Sequence, residues 1–120
     1  MPVRSLNSSV LKWPDAATVD AAARKWARDL TQEHPGILRI AYFGSYAQGD
    51  WGVGSDLDLI VIMEKVDEPK EKRGLKWDTS SIPVPVDMQI FTQTEWTAIP
   101  HDSRFKKAVD LEAVWIYSKS

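Results

Sequence analysis

The segment from residue 42 to residue 62, YFGSYAQGDWGVGSDLDLIVI, constrains the chain more than any other part. It begins with an apolar run, turns at Gly44, crosses a loop with three more glycines and ends in the acidic pattern Asp56-x-Asp58. Side chains alternate faces along a strand, so Asp56 and Asp58 are predicted on one face, about 7 Å apart. Two carboxylates on one face repel each other unless a cation lies between them, and their oxygens are ligands that suit Mg²⁺.

The Gly44-Ser45 turn supplies hydrogen-bond donors for phosphate, which the carboxylates lack. A strand that ends in Gly-Ser and continues as a short helix over residues 45–48 leaves backbone N–H groups unpaired where anions bind. Gly44 lets a phosphate approach the backbone, and the Ser45 hydroxyl can donate another hydrogen bond. This phosphate cradle, followed by a same-face aspartate pair, predicts a site for a nucleoside triphosphate carried with metal.

The small and acidic residues of this segment form one pattern, Gly44-Ser45, Gly49 and Ser55-Asp56-x-Asp58. That pattern resembles the GS…G…(S/G)D-x-D signature of the nucleotidyltransferase superfamily related to DNA polymerase β. The small size of the chain resembles the minimal branch of the superfamily, the MNT proteins, which occur as antitoxins beside HEPN-domain toxins. The motif covers residues 44–58, and the likeness extends to a later aspartate and a C-terminal apolar strand. The combination is specific, whereas Gly-Ser or D-x-D alone is a weak signal.

The resemblance implies a catalytic and metal-binding triad, Asp56, Asp58 and Asp87, holding one or two Mg²⁺ ions. Asp87 lies in the run VPVDMQIF, which resembles the third-carboxylate strand of the superfamily. The resemblance also implies nucleotide contacts from four residues, Gly44, Ser45, Gln48 and Ser55, with ATP as the expected donor. Each aspartate has an ordinary alternative: Asp56 and Asp58 as solvent-facing or capping residues, and Asp87 as a polar-face strand residue. Ser55 is otherwise a cap before the strand.

Gln48 departs from the superfamily pattern, because many relatives carry arginine at this position. An amide brings no charge to a phosphate, so part of the electrostatic clamp is missing. Arg39, Arg73 and Lys76 are the basic residues considered as replacements. Trp51, in the loop between cradle and carboxylates, either covers the site or anchors the loop on the sheet.

Three functional hypotheses from different classes therefore stay open. The first is a Mg²⁺-dependent nucleotidyltransferase that transfers AMP from ATP to a hydroxyl of a partner protein, such as a HEPN toxin, or of a second copy in a homo-oligomer. The second is an inactive antitoxin that neutralises its partner by binding. The third is a binding module in which the carboxylates hold a structural or regulatory metal.

Composition limits the classes of protein that fit. The chain has 120 residues, 43% of them hydrophobic, and is predicted to form one domain over residues 1–120 with a loosely ordered lead-in over residues 1–13. The net charge of −2 offers no basic surface for nucleic acid. The absence of cysteine and of any apolar run near the roughly 18 residues of a membrane span predicts a cytoplasmic protein with no membrane partner.

Periodicity predicts an α/β (α+β) fold, and the resemblance implies that this fold is of the nucleotidyltransferase type. A helix capped by Asp15 should end at His34-Pro35-Gly36. Strands are predicted over residues 37–43, 57–63, 81–91 and 113–117, with prolines placing the start of the third at an edge of the sheet or outside it. Short helices are predicted after caps at Thr94 and Asp102. The result is a small mixed sheet of about four strands, covered on one face by helices, with the site on the other face.

Overall fold

The structure, a computed structural model, describes residues 13–119. Its helices are α1 (Ala16–Glu33), α2 (Ser45–Gln48), α3 (Gln93–Ala98) and α4 (Arg104–Glu112). Its strands are β1 (Ile37–Phe43), β2 (Leu57–Met63), β3 (Val86–Thr92) and β4 (Val114–Ser118). The four strands form one sheet in the order β3-β2-β1-β4, in which β2 and β3 are parallel and the other pairs antiparallel. The predicted four-stranded mixed sheet is confirmed.

The helix α1 begins and ends where the sequence predicts. The Asp15 side chain accepts a hydrogen bond from the backbone N–H of Thr18, which satisfies one of the free donors of the first turn. One face of the helix is buried against the sheet, and it consists of Val19, Ala23, Trp26, Ala27 and Leu30. The backbone N–H of His34 closes the last turn on Leu30 before the Pro-Gly breaker.

The predicted caps of the two short helices are wrong by one or two residues. Thr92, not Thr94, caps α3, because its hydroxyl accepts from the N–H of Glu95 while the Glu95 carboxylate accepts from the N–H of Thr92. Ser103, not Asp102, caps α4 through the N–H of Lys106. Several neighbouring Ser, Thr and Asp residues satisfy the composition of a cap, and only the backbone geometry selects one.

Helices cover both faces of the sheet, which corrects the prediction of cover on one face. Alternate residues of β2 point to opposite sides. On one side Leu57, Leu59 and Val61 pack with α1. On the other side Ile60 and Ile62 pack with a second cluster from β3, α3 and α4, formed by Phe91, Trp96 and Val109. The run of apolar residues in β2 is therefore buried on both faces, as its composition indicates.

The charged segment between β2 and β3 is mostly exposed, and Arg73 is one of the residues that hold it to the rest of the fold. The Arg73 side chain is only 9% exposed and binds the Glu95 carboxylate through two nitrogens, at 2.6 and 3.1 Å. It also donates to the backbone oxygen of Ile90 at 3.1 Å. This bidentate contact fixes the segment to β3 and α3.

The expected lead-in over residues 1–13 lies outside the described residues apart from Trp13. Among the helices of residues 13–119, none has both the length and the apolar character needed to cross a membrane.

Candidate functional site

The sheet topology brings the predicted site residues to one end of the strands. β1 runs antiparallel to β2, and β3 runs parallel to β2, so the end of β1 meets the beginnings of β2 and β3. Phe43, the residue before Gly44, lies opposite Asp58. Asp58 in turn lies opposite Asp87. The turn at Gly44 and the aspartates of β2 and β3 are therefore neighbours in space.

Asp58 and Asp87 project from the same face of the sheet, because they occupy paired positions on adjacent parallel strands, about 4.8 Å apart. Asp56 precedes β2 by one residue. Burial raises the pKa of Asp58 above its ordinary value of 3.8, and the charges of Asp87 and then Asp56 raise it further. None of these carboxylates makes an ion pair or accepts a hydrogen bond from another residue within 13–119. The site is an uncompensated patch of negative charge.

Gly44 lies directly against the Asp58 carboxylate. Its φ of 85° and ψ of −153° lie in a region that side chains rarely adopt, and a Cβ built there would collide with Oδ2 of Asp58. The position therefore requires glycine for both conformation and space. This contact places the turn into α2 beside the acidic residues, as the hypothesis of a phosphate cradle requires.

The polar residues predicted around the cradle differ in the hydrogen bonds that their side chains make. The Ser45 hydroxyl is half-buried and makes no hydrogen bond within the described part of the chain. The Ser55 hydroxyl accepts from the backbone N–H of Gly52 at 2.8 Å and so holds the intervening loop. The Gln48 side chain donates to Glu112 at 3.0 Å.

Glu112, at the end of α4, is a site residue that the sequence reasoning missed. It puts a carboxylate next to the position where many relatives have arginine. No local pattern links residues 48 and 112, and only the pairing of β4 with β1 brings the end of α4 to this end of the sheet.

The basic residues that could replace the missing arginine lie away from the phosphate cradle. Arg39 lies opposite Ile62, near the far end of β2. Arg73 binds Glu95 on α3, and Lys76 lines a cavity beside the last residue of β2. None of the three supplies positive charge to the cradle.

Trp51 anchors its loop. Its ring stacks on Tyr46 with 5.7 Å between centroids and an interplanar angle of 7°. The Tyr46 hydroxyl donates to the backbone oxygen of Pro14 at 3.2 Å, which ties α2 to the start of α1. Of the two alternatives for Trp51, the stacked geometry favours the anchor.

The acidic residues fit a hard cation of the magnesium type. Within residues 13–119, no three His, Cys, Asp or Glu side chains are close enough together to hold a metal ion by themselves. Mg²⁺, however, binds through one or two carboxylates and completes its shell with water and substrate phosphates. The unpaired, same-face Asp58 and Asp87 meet that smaller requirement, with Asp56 adding to the negative field.

Comparison with known proteins agrees with the fold. The family model described as nucleotidyltransferase domain matches residues 23–113. A crystal structure of a candidate nucleotidyltransferase from Sulfolobus solfataricus is similar, with a TM-score of 0.60, 18% identity, and coverage of 90% of this chain and 91% of that one. A toxin–antitoxin structure with AMP-PNP has a TM-score of 0.54 at 17% identity, over 81% of this chain and 74% of that one.

A mutant of the toxin–antitoxin MntA-HpeT has a TM-score of 0.54 at 15% identity, with the same coverage of both chains. At these identities, the solved structures show a shared fold. No curated protein sequence is significantly similar to the chain.

Proposed function

The chain belongs to the nucleotidyltransferase domain family, and from that premise we propose that it transfers AMP from ATP to a hydroxyl group of a partner protein. The observation that carries the proposal is the pairing of Asp58 with Asp87 beside the Gly44 turn, in a patch where negative charge is uncompensated. Such a patch attracts a cation and, through the cation, a triphosphate.

In the proposed reaction, the oxygen of the acceptor hydroxyl attacks the α-phosphorus in line and forms a new P–O bond. The bond between the α-phosphorus and the bridging oxygen breaks, and pyrophosphate leaves with the electron pair. The hydroxyl proton passes to the Asp87 carboxylate. Gly44 and Ser45 contact the departing phosphates through the backbone and the free hydroxyl. Asp58 and Asp87, with the charge of Asp56 beside them, would hold one or two Mg²⁺ ions together with the triphosphate, and the metal would supply stabilisation of negative charge on the phosphate oxygens.

We propose a HEPN-domain toxin as the acceptor, with this chain as its antitoxin. Support comes from the fold shared with toxin–antitoxin structures, one of which was solved with AMP-PNP. A second copy of the chain is the other acceptor considered.

An inactive antitoxin that acts by binding is the second candidate. One observation favours it: the position of the usual arginine holds Gln48, which is engaged by the carboxylate of Glu112. The negative charge of Glu112 opposes a triphosphate at this position.

The test uses ATP labelled at the α-phosphate and a HEPN-domain protein as the candidate acceptor. The parent should transfer label to the partner and suppress its activity. The double variant Asp56→Asn with Asp58→Asn keeps side-chain size while it removes ligand charge, so transfer and suppression should both disappear. Asp50→Asn, an exposed change in the same loop, is the matched control and should behave as the parent. If the double variant still suppresses the partner fully, binding replaces modification as the mechanism.

A further inference from the structure

A second cavity, of about 370 Å³, lies on the same face of the sheet as Asp58 but at the opposite end of the strands. Its walls combine two tryptophans, three basic residues and one acid, namely Trp96, Trp115, Arg39, Lys106, His101 and Asp110. The acidic site at the other end contributes no residue to it. The chemistry of this cavity is therefore separate from nucleotidyl transfer.

Lys106 is the most informative residue of the cavity. Its side chain is buried, with 6% of the residue exposed, although lysine is almost never buried without a partner of opposite charge. Its Nζ donates to the backbone oxygen of Trp96 at 3.2 Å and lies 4.4 Å from the centre of the Trp96 ring. It forms no ion pair with any described residue. An ammonium group has three donors, so it retains capacity for further hydrogen bonds.

Arg39 adds a second cation without a counterion. Its guanidinium lies 3.8 Å from the centre of the Trp115 ring, and Trp115 packs edge to face on Trp96 at 6.2 Å. Asp110 lines the cavity but is not paired with Arg39 or Lys106 in the part of the chain that the structure covers. Charge–ring contacts hold both cations in place but do not neutralise them.

We propose that this cavity binds a small oxyanion, a phosphate or a carboxylate. A buried ammonium and a stacked guanidinium are costly to keep without an anion, and both are prepared donors for oxygen ligands. Carboxylates and phosphates share this chemistry, because both present oxygen acceptors that carry negative charge. Two lining cations, Lys106 and Arg39, face one lining carboxylate, Asp110, so the balance of charge in the cavity favours an anion.

The test is titration of the full chain with inorganic phosphate and, separately, with acetate, at constant ionic strength set by sodium chloride. The indole N–H signals of Trp96 and Trp115 are followed by NMR, since both rings line the cavity. At least one of the two anions should shift these signals saturably, and the one that binds more tightly identifies the preferred group. Lys106→Met and Arg39→Gln should each weaken binding about tenfold, because each removes a charge-assisted hydrogen bond.

The controls separate this site from the acidic one. Lys107→Met removes an exposed charge from the same helix and should leave anion binding unchanged. Asp58→Asn should also bind the anion as the parent does, even if all nucleotide transfer is lost. Arg39→Gln keeps the proposal testable if Lys106→Met does not fold. Absence of saturation with both anions, or equal affinity in the parent and in Arg39→Gln, would overturn the proposal.

Discussion

Asp58 of β2 lies in parallel register with Asp87 of β3, and neither carboxylate has a basic partner in the described part of the chain. Burial raises the pKa of Asp58 first, and the charge of Asp87 adds to it. A carboxyl group whose pKa is raised by folding destabilises the folded state when it is ionised. The ionised Asp58 carboxylate therefore lowers the free energy of unfolding, which is the stability cost of keeping negative charge at this site.

Asp58→Asn should consequently stabilise the protein at neutral pH in the absence of metal and nucleotide, because the amide carries no charge to bury or repel. Folding raises the pKa of Asp58, so the penalty is fully present above the raised pKa and disappears as the pH falls through it toward 3.8. The difference in unfolding free energy between Asp58→Asn and parent should shrink over that window. Urea unfolding at several pH values measures it, and a destabilised Asp58→Asn at pH 7 would contradict the prediction.

The Arg73–Glu95 pair should show the opposite pH dependence. Hydrogen bonds from Arg73, and then from the backbone of Thr92, lower the pKa of Glu95 from 4.5 to about 2. This contribution to stability is present above pH 4.5 and is lost as the pH falls toward 2. Glu95→Gln should cost about 1–3 kcal/mol at pH 7, toward the lower end because the Glu95 side chain is 38% exposed.

Asp29→Asn is the matched control for this pair. It breaks the exposed Lys25–Asp29 contact at 3.0 Å and should change the unfolding free energy by less than about 0.5 kcal/mol. A cost of Glu95→Gln that does not shrink between pH 4.5 and 2 would mean that the carboxylate charge is not what holds Arg73.

Local patterns predicted most of the fold. The bounds of β1 and β2 follow from continuous apolar runs between strong turn residues. The cap of α1 follows from Asp15, which comes shortly before apolar residues that recur at helical spacing. The Asp56-x-Asp58 spacing likewise places both residues on one strand or its edge, which is a local property.

Features that depend on distant pairs could not be predicted. The contact between Gln48 and Glu112 follows from the pairing of β4 with β1, which brings the end of α4 to the cradle. The second helical layer was missed because α4 is short and amphipathic, and its period does not say which sheet face it covers. Strand register and the order in which strands pair depend on tertiary contacts, which a single sequence does not determine.

Glu112 should limit the benefit of restoring the arginine at position 48. On the proposed function, the arginine of Gln48→Arg alone would be partly neutralised by the Glu112 carboxylate, which already binds the Gln48 side chain. Gln48→Arg combined with Glu112→Gln should tighten MgATP binding by about 1–2 kcal/mol, the gain expected of a charge-assisted hydrogen bond. Calorimetry of the two single variants and the double variant measures the coupling. Equal affinity in all four proteins would mean that the phosphates do not reach this position.

Gly44 and Gly49 offer a matched pair for testing the phosphate cradle. Both have a φ of 85°, so alanine is strained at either position. Gly49→Ala meets no atom within 4 Å and should cost about 1–2 kcal/mol of stability without affecting the acidic site. Gly44→Ala adds a collision with the Asp58 carboxylate and a less favourable ψ, so it should cost more and should displace Asp58 from Asp87.

On the proposed function, Gly44→Ala should therefore lose MgATP binding at temperatures where it remains folded, whereas Gly49→Ala should keep it. Unfolding by urea and calorimetric titration with MgATP, performed on both variants, separate stability from binding. If Gly49→Ala lost nucleotide affinity as completely as Gly44→Ala, general loosening of the loop would explain the loss. The close contact between Gly44 and Asp58 would then not be what aligns phosphate with the acidic residues.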